Sequence, residues 1–218
     1  MKPLALVRWL WLLALAVALS AAQAAPPISR AQALRLLVHD MAPERAAGVA
    51  RLADVGQMAD AGRVAERLRD EDEGVRELAG TALWLIWSRS GDRVVDRLLA
   101  RGVDQMSQGA LPAAEATFTR VVQRRPSFAE GWNKRATVRY LMGQDEGSLK
   151  DCDEALKRNP LHFGALSGMA QIHLRRGDPQ RALQAYERAL QANPNLDGGP
   201  QMLELLEEAV RKQGDSRT

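Results

Sequence analysis

Pro126, Pro160 and Pro194 stand 34 residues apart, and Gly109, Gly143 and Gly177 keep the same spacing. Proline stops a helix because it cannot donate the backbone hydrogen bond, and glycine admits a left-handed turn. Their shared period therefore sets one turn-permitting and one helix-stopping residue in every 34. A unit of that size cannot bury its own apolar face, so the core must come from stacking units on one another. Other positions fall into the same register. Gly102, Ala136 and Ala170 are small, as are Ala114, Ser148 and Ala182; Phe118, Cys152 and Tyr186 share one place, and Val121, Ala155 and Ala189 another.

On these residues the chain resembles the tetratricopeptide repeat (TPR) family over 95–196, with repeats at 95–128, 129–162 and 163–196. The resemblance implies an all-α, right-handed solenoid of helical hairpins. Two places that are usually apolar depart from the family pattern: the seventh and eleventh hold Arg101 and Gln105, then Arg135 and Arg139. A rotated or partly wet first helix accommodates them, with Arg135 and Arg139 pairing to Asp151 or Asp153. Asp178-Pro179 supplies an N-cap followed by proline at the first helical position.

The segment 25–94 is helical by pattern but lacks the 34-residue register. Ser29 with Gln32 is a capping-box start, and Pro43 can open the next helix. Val75, Leu78, Ala79, Ala82, Leu83 and Ile86 keep an i, i+3, i+4 rhythm. Asp70, Val75-Arg76 and Ala79 through Leu83 resemble one HEAT repeat, which implies a hairpin stacked on the first TPR as an N-terminal cap. Trp84 lies off that stripe and is expected to be covered by a neighbouring helix. In 197–218, Met202, Leu203, Leu206 and Val210 form the apolar stripe of a C-terminal capping helix.

Residues 1–24 read differently. Lys2 and Arg8 precede an apolar run from Trp9 to Leu19, and Ala22-Gln23-Ala24 supplies an A-x-A cleavage signal. The run is shorter than the roughly 20 apolar residues a spanning helix needs. Cleavage after Ala24, export to a periplasm and no stable membrane insertion thereafter are the expectation. The remaining chain has 28 basic and 27 acidic residues, a net charge of +1, with no basic patch of the kind nucleic acid requires.

Candidate chemistry is sparse. No Gly-x-Ser-x-Gly, His-Glu-x-x-His or phosphate-cradling loop occurs. His39, His162 and His173 have no neighbours of metal-ligand spacing, so no metal, cofactor or catalytic residue is expected. His162 reads as a solvated turn residue. Cys152, the only cysteine, reads as a buried, inert thiol.

The TPR resemblance implies a concave groove lined by the first helix of each repeat. Its candidate lining is Leu99, Val103 and Met106, then Asn133, Lys134, Thr137 and Tyr140, then Ser167 and Gln171. TPR domains that clamp a chaperone's C-terminal carboxylate carry Lys and Asn where this chain has Leu99 and Val103. Gly164 and Gly168 stand where the third repeat would offer cations, so that mode is not expected. The expected function is a non-enzymatic adaptor or assembly factor holding an extended or helical segment of another protein. Two alternatives remain: an enzyme with its site in the N-terminal third, and a self-associating structural array.

Overall fold

The computed structural model describes residues 28–215, which form eleven α-helices and two short 3-10 turns, with no strand among the described residues. The signal sequence expected at 1–24 lies outside them. Four helices make an N-terminal module: α1 (Arg30–Leu36), α2 (Ala42–Val55), α3 (Ala61–Glu66) and α4 (Glu73–Trp87). Three hairpins follow: α5 (Arg93–Ser107) with α6 (Leu111–Arg124), α7 (Ala129–Leu141) with α8 (Asp145–Arg158), and α9 (Phe163–Arg175) with α10 (Pro179–Ala192). The last helix, α11 (Gly199–Asp215), packs on α10, with Leu206 buried and Met202, Leu203 and Val210 half-buried.

Each hairpin turns by the same device. Gly109, Gly143 and Gly177 have φ of +74°, +74° and +72°. Their N–H groups donate to Met106, Tyr140 and Leu174, and the next residues donate to Gln105, Arg139 and His173. This doubled bond is the Schellman closure, and it requires a left-handed residue at its centre. The second helices end at Arg125, Asn159 and Asn193, which leave the helical region ahead of the following proline, Asn159 and Asn193 as extended backbone.

Small residues set the distance between paired helices. A Cβ on Gly102 would lie 2.5 Å from Phe118 Cε1, so the fully buried Phe118 ring seats directly on α5 backbone. Burial of such a ring contributes about 1.5–3 kcal/mol. The second repeat's arginines at the seventh and eleventh places, Arg135 and Arg139, are held by acids, as the sequence suggests. Arg135 makes a two-bond pair with Asp151 at 2.8 and 2.7 Å, and Arg139 reaches Asp151 at 2.9 Å and Glu115 at 2.8 Å. These bonds tie α6, α7 and α8 together where other repeats use apolar contact.

The N-terminal module begins with the Ser29–Gln32 capping box. Arg45 is buried and binds Asp70 through two bonds of 2.8 and 2.7 Å, joining α2 to the start of α4. Val75, Ala79, Ala82, Leu83 and Ile86 are buried, whereas Leu78 is exposed.

The module does not stack on the first repeat. The core of that repeat, with Val95, Leu98, Phe118 and Val121, is a separate cluster from the core that contains α4. The module's core is instead continuous with the third repeat, including Phe163, Leu166, Tyr186 and Ala189. Asn195 donates to the Leu68 carbonyl at 2.6 Å, and Arg69 donates to the Gln191 carbonyl. The reason lies in α4: Trp84 and Trp87 both pack on Phe163, with ring centroids 5.1 and 4.9 Å apart. Two indoles project beyond the hairpin's own stripe and find their cover across the array.

Candidate functional site: a groove partly closed by the N-terminal module

The open part of the groove lies between α7 and α9. It is a cavity of about 210 Å³ lined by Asn133, Thr137 and Tyr140 from α7 and by Gly164, Ser167, Gly168 and Gln171 from α9. Ala136, Ser148, Cys152 and Ile172 complete it. Thr137 and Gln171 are exposed, and Ser167 and Tyr140 are half-buried. Gly168 leaves backbone bare on α9, whereas Gly164 is covered by Trp84, and Cys152, Ala136 and Ile172 give the groove a small apolar cluster beneath. Such a wall offers polar contacts at the rim and apolar contact within, the usual make-up of a site for a peptide segment.

Tyr140 sits against Ala136, Cys152 and Ile172 and carries Arg175 on its ring, 3.7 Å from the centroid. Arg175 also donates to the Tyr140 carbonyl and pairs with Asp145. Burial pushes the Cys152 thiol up to about 12, with the charges of Asp151 and Asp153 adding to the effect. It is a wall group, not a nucleophile.

Four expected lining residues are placed otherwise. Leu99 is buried in the first repeat's core, because Val95, Leu98, Leu99 and Gly102 form one stripe while Arg101 takes the water-facing side. Val103 and Met106 pack half-buried beside that core. Lys134 lies 3.2 Å from the Glu130 carboxylate and 5.7 Å from the centre of the Trp84 ring, so its charge is engaged. Asn133 is buried and donates to Glu130 at 3.0 Å while keeping its place in the cavity wall. The nine lining residues read from sequence are thus not one surface: Asn133, Thr137, Tyr140, Ser167 and Gln171 come together, and the first-repeat residues and Lys134 stand apart.

His162 is the largest departure. It is fully buried, not solvated. Its Nδ1 accepts the Ala165 N–H at 3.2 Å, so the proton sits on Nε2, which donates to Glu130 Oε2 at 2.9 Å. Trp87 stacks on the imidazole at 4.8 Å and Trp84 meets it edge-on at 5.6 Å. Burial opposes the Glu130 charge. His162, Lys134 and Asn133 outweigh that cost and hold the carboxyl below its usual range. The polar cluster locks α7 to the start of α9 and forms the seat of the N-terminal module. The pair of tryptophans in α4 was the available sequence signal that another surface had to cover them.

The tetratricopeptide repeat family model matches residues 146–197. A TPR repeat-containing protein of Rhizobium etli is 33% identical over 126 residues, which cover 58% of this chain and 62% of that protein. Hsp70-Hsp90 organizing protein 1 of Glycine max is 23% identical over 123 residues, 55% of this chain and 22% of that protein. The chain therefore spans less than two thirds of the length of each. Among solved structures, the Sgt2 TPR domain of Aspergillus fumigatus gives a TM-score of 0.54 at 21% identity, covering 57% of this chain and 83% of that one. The first TPR of Spaghetti, solved with an HSP90 peptide, gives 0.52 at 20% identity, covering 54% and 93%. Helical hairpins closed by the same glycine turn and stacked through small residues define a TPR array. Over residues 146–197 the chain matches the tetratricopeptide repeat family, and it is similar to TPR proteins in sequence and to TPR domains in fold.

Proposed function

We propose that this protein is a non-catalytic adaptor that holds a segment of another protein in the groove between α7 and α9. The observation that carries the reading is the cavity itself: exposed Thr137 and Gln171 flank the bare backbone of Gly168 over apolar Cys152 and Ile172. The Spaghetti domain, of like fold, was solved with a peptide of HSP90, which supports peptide binding as the use of such an array. An acidic chain end is a poor occupant here. Lys134 is neutralised by Glu130, Leu99 is buried, and glycine stands at Gly164 and Gly168. An extended or helical segment with small apolar side chains matches the groove better.

Photo-crosslinkers at Thr137 and Gln171 test this in envelope extracts, with one at exposed Arg188 on α10 as control. The reading expects both groove positions to mark the same stretch of one other polypeptide, and the control not to. Crosslinks from all three positions alike, or only between copies of this chain, would overturn it.

The site of action we propose is the periplasm, reached by export and cleavage after Ala24. Intact mass of the native protein is expected to begin at Ala25. A mass that retains Met1 would contradict it.

A further inference from the structure

The repeat array is open at both ends. Its first helix, α5, packs on α6 and α7, and the module expected on its outer side is seated on the third repeat instead. Arg93, Arg97, Ala100, Arg101 and Asp104 are therefore exposed on one face of α5. Arg93, Arg97 and Arg101 make neither an ion pair nor a side-chain hydrogen bond among the described residues. Asp92 and Asp96, the acids at the start of the helix, are already engaged by Arg124 and by Ser90. At the other end α11 packs on α10 and presents Gln201, Glu204, Glu207, Glu208, Arg211 and Lys212 to water. Glu208 pairs with Lys212, and Glu204 and Glu207 are unpaired among the described residues.

Opposite charge recurs at the two ends with the same spacing. Arg97, Arg101 and Asp104 stand at i, i+4 and i+7 on α5, and Glu204, Glu208 and Arg211 stand at i, i+4 and i+7 on α11. That spacing puts each set on one stripe of its helix. The sign is inverted at all three places. Charges in this order face one another only if the two helices run parallel. The array supplies that direction: its first helices α5, α7 and α9 are parallel, because each hairpin reverses the chain twice, and each meets the next directly. The end of α11 lies at the turn that closes α9, where Gln213 donates to the Gly177 carbonyl at 2.9 Å, and its start lies against Leu190 of α10. Thus α11 is parallel to α9 and holds the place of a further first helix.

We infer that a second copy of this chain seats its α5 on α11, with Arg97 and Arg101 opposite Glu204 and Glu208 and Asp104 opposite Arg211, so that the solenoid continues from one molecule into the next. Guanidinium groups suit this contact because they match the two oxygens of a carboxylate. The contact joins unlike surfaces, and each added copy brings a fresh end, so growth passes the dimer unless a ring closes. Exposed Val94 and Leu205, on the flanks of the two stripes, add some apolar area. Ion pairs at a surface are screened by salt, so the association is weak and strengthens in dilute buffer. It uses no residue of the groove between α7 and α9 and stands apart from that reading.

Sedimentation velocity of the folded protein over a concentration series tests this, at about 20 mM and about 500 mM salt. At low salt the species are expected to grow with concentration past the dimer, and high salt to weaken the association by about tenfold or more. Arg97→Glu with Arg101→Glu makes one variant, and Glu204→Arg with Glu208→Arg makes the other. All four residues are exposed, so both variants are expected to keep the wild-type melting temperature. Each alone sets like charges against one another and is expected to stay monomeric. An equal mixture is expected to grow again, because every contact between the two variants pairs opposite charges. Wild-type monomers at all concentrations up to about 1 mM would overturn the proposal and leave the arginines to a partner of another kind. Growth of either variant alone, or a mixture that stays monomeric, would overturn it as well.

Discussion

The indole of Trp84 rests on Gly164 so closely that a Cβ there would come within 2.4 Å of Cη2. One residue belongs to α4 and the other to the groove face of α9, so this contact decides how far the N-terminal module closes over the array. It also explains why a lining position with open groove on one side carries no side chain.

Gly164→Ala is therefore expected to push the module outward and to destabilise the protein by about 1–3 kcal/mol, the usual cost of overpacking a rigid ring. Gly168→Ala is the control, because its Cβ would meet Cys152 Sγ at an ordinary 3.8 Å. Thermal melting together with limited proteolysis of the N-terminal module checks this. Equal behaviour of the two variants would mean that the indole moves aside without cost.

Cys152 is 2% exposed, and its thiol is pushed up to about 12 by burial and the neighbouring aspartates. Thiol reagents are expected to label it only at the rate of unfolding, with acceleration in denaturant. Cys152→Ala is expected to cost about 1–2 kcal/mol, since the site is a small interface already lined by Ala136 and Ile172. Fast labelling of the native protein would show that the groove opens to its floor.

Local chemistry made much of this fold legible. Gly109, Gly143 and Gly177 act through their own backbone, and Pro126, Pro160 and Pro194 through the residue before them, so spacing alone places the turns. The pairing of Arg135 and Arg139 with Asp151 was readable because neighbouring helices of a hairpin face one another in a known register. The seat of the N-terminal module was not readable. It depends on Trp84 and Trp87 meeting His162 and Phe163 from far along the chain, and no periodicity reports such a contact. Leu99 was not readable either, because Val95, Leu98 and Leu99 together are buried in the first repeat's core and spacing does not report which face is covered.

Three buried carboxylates make the protein sensitive to acid. Asp60 is held below its ordinary range by two bonds from Arg30, Asp70 by two from Arg45, and Glu130 by His162, Lys134 and Asn133. Each group binds its proton more readily unfolded than folded. Its contribution is therefore complete above the unfolded value near 4 and is lost as pH falls through the lower folded value. Stability is expected to fall as pH drops below about 5, where these carboxylates take up protons. Glu130→Gln is expected to make the acid limb shallower in urea melts taken along the pH series. Parallel curves for the two proteins would mean that the carboxylate adds nothing.

Tyr140 has two faces with different work. Arg175 covers one, at 3.7 Å from the ring centre, and Tyr140 also lines the cavity with Thr137. Removing the ring must therefore disturb the scaffold as well as the groove: Tyr140→Ala is expected to cost about 1–3 kcal/mol, as a half-buried aromatic with a cation on its face does. Thr137 is exposed, and its hydroxyl bonds only back to the Asn133 carbonyl at 3.0 Å, so Thr137→Ala is expected to leave melting unchanged. Tyr140→Phe keeps the packing and deletes the hydroxyl. Fluorescence titration with a synthetic peptide of the crosslinked segment separates the roles. If the groove holds the segment, Thr137→Ala and Tyr140→Phe each weaken binding at constant melting temperature, and Tyr140→Ala weakens it further, by about thirtyfold for an anchor worth 2 kcal/mol. If Tyr140 only braces α9 through Arg175, then Tyr140→Ala alone loses affinity, in step with its lost stability, and the segment must bind elsewhere on the array.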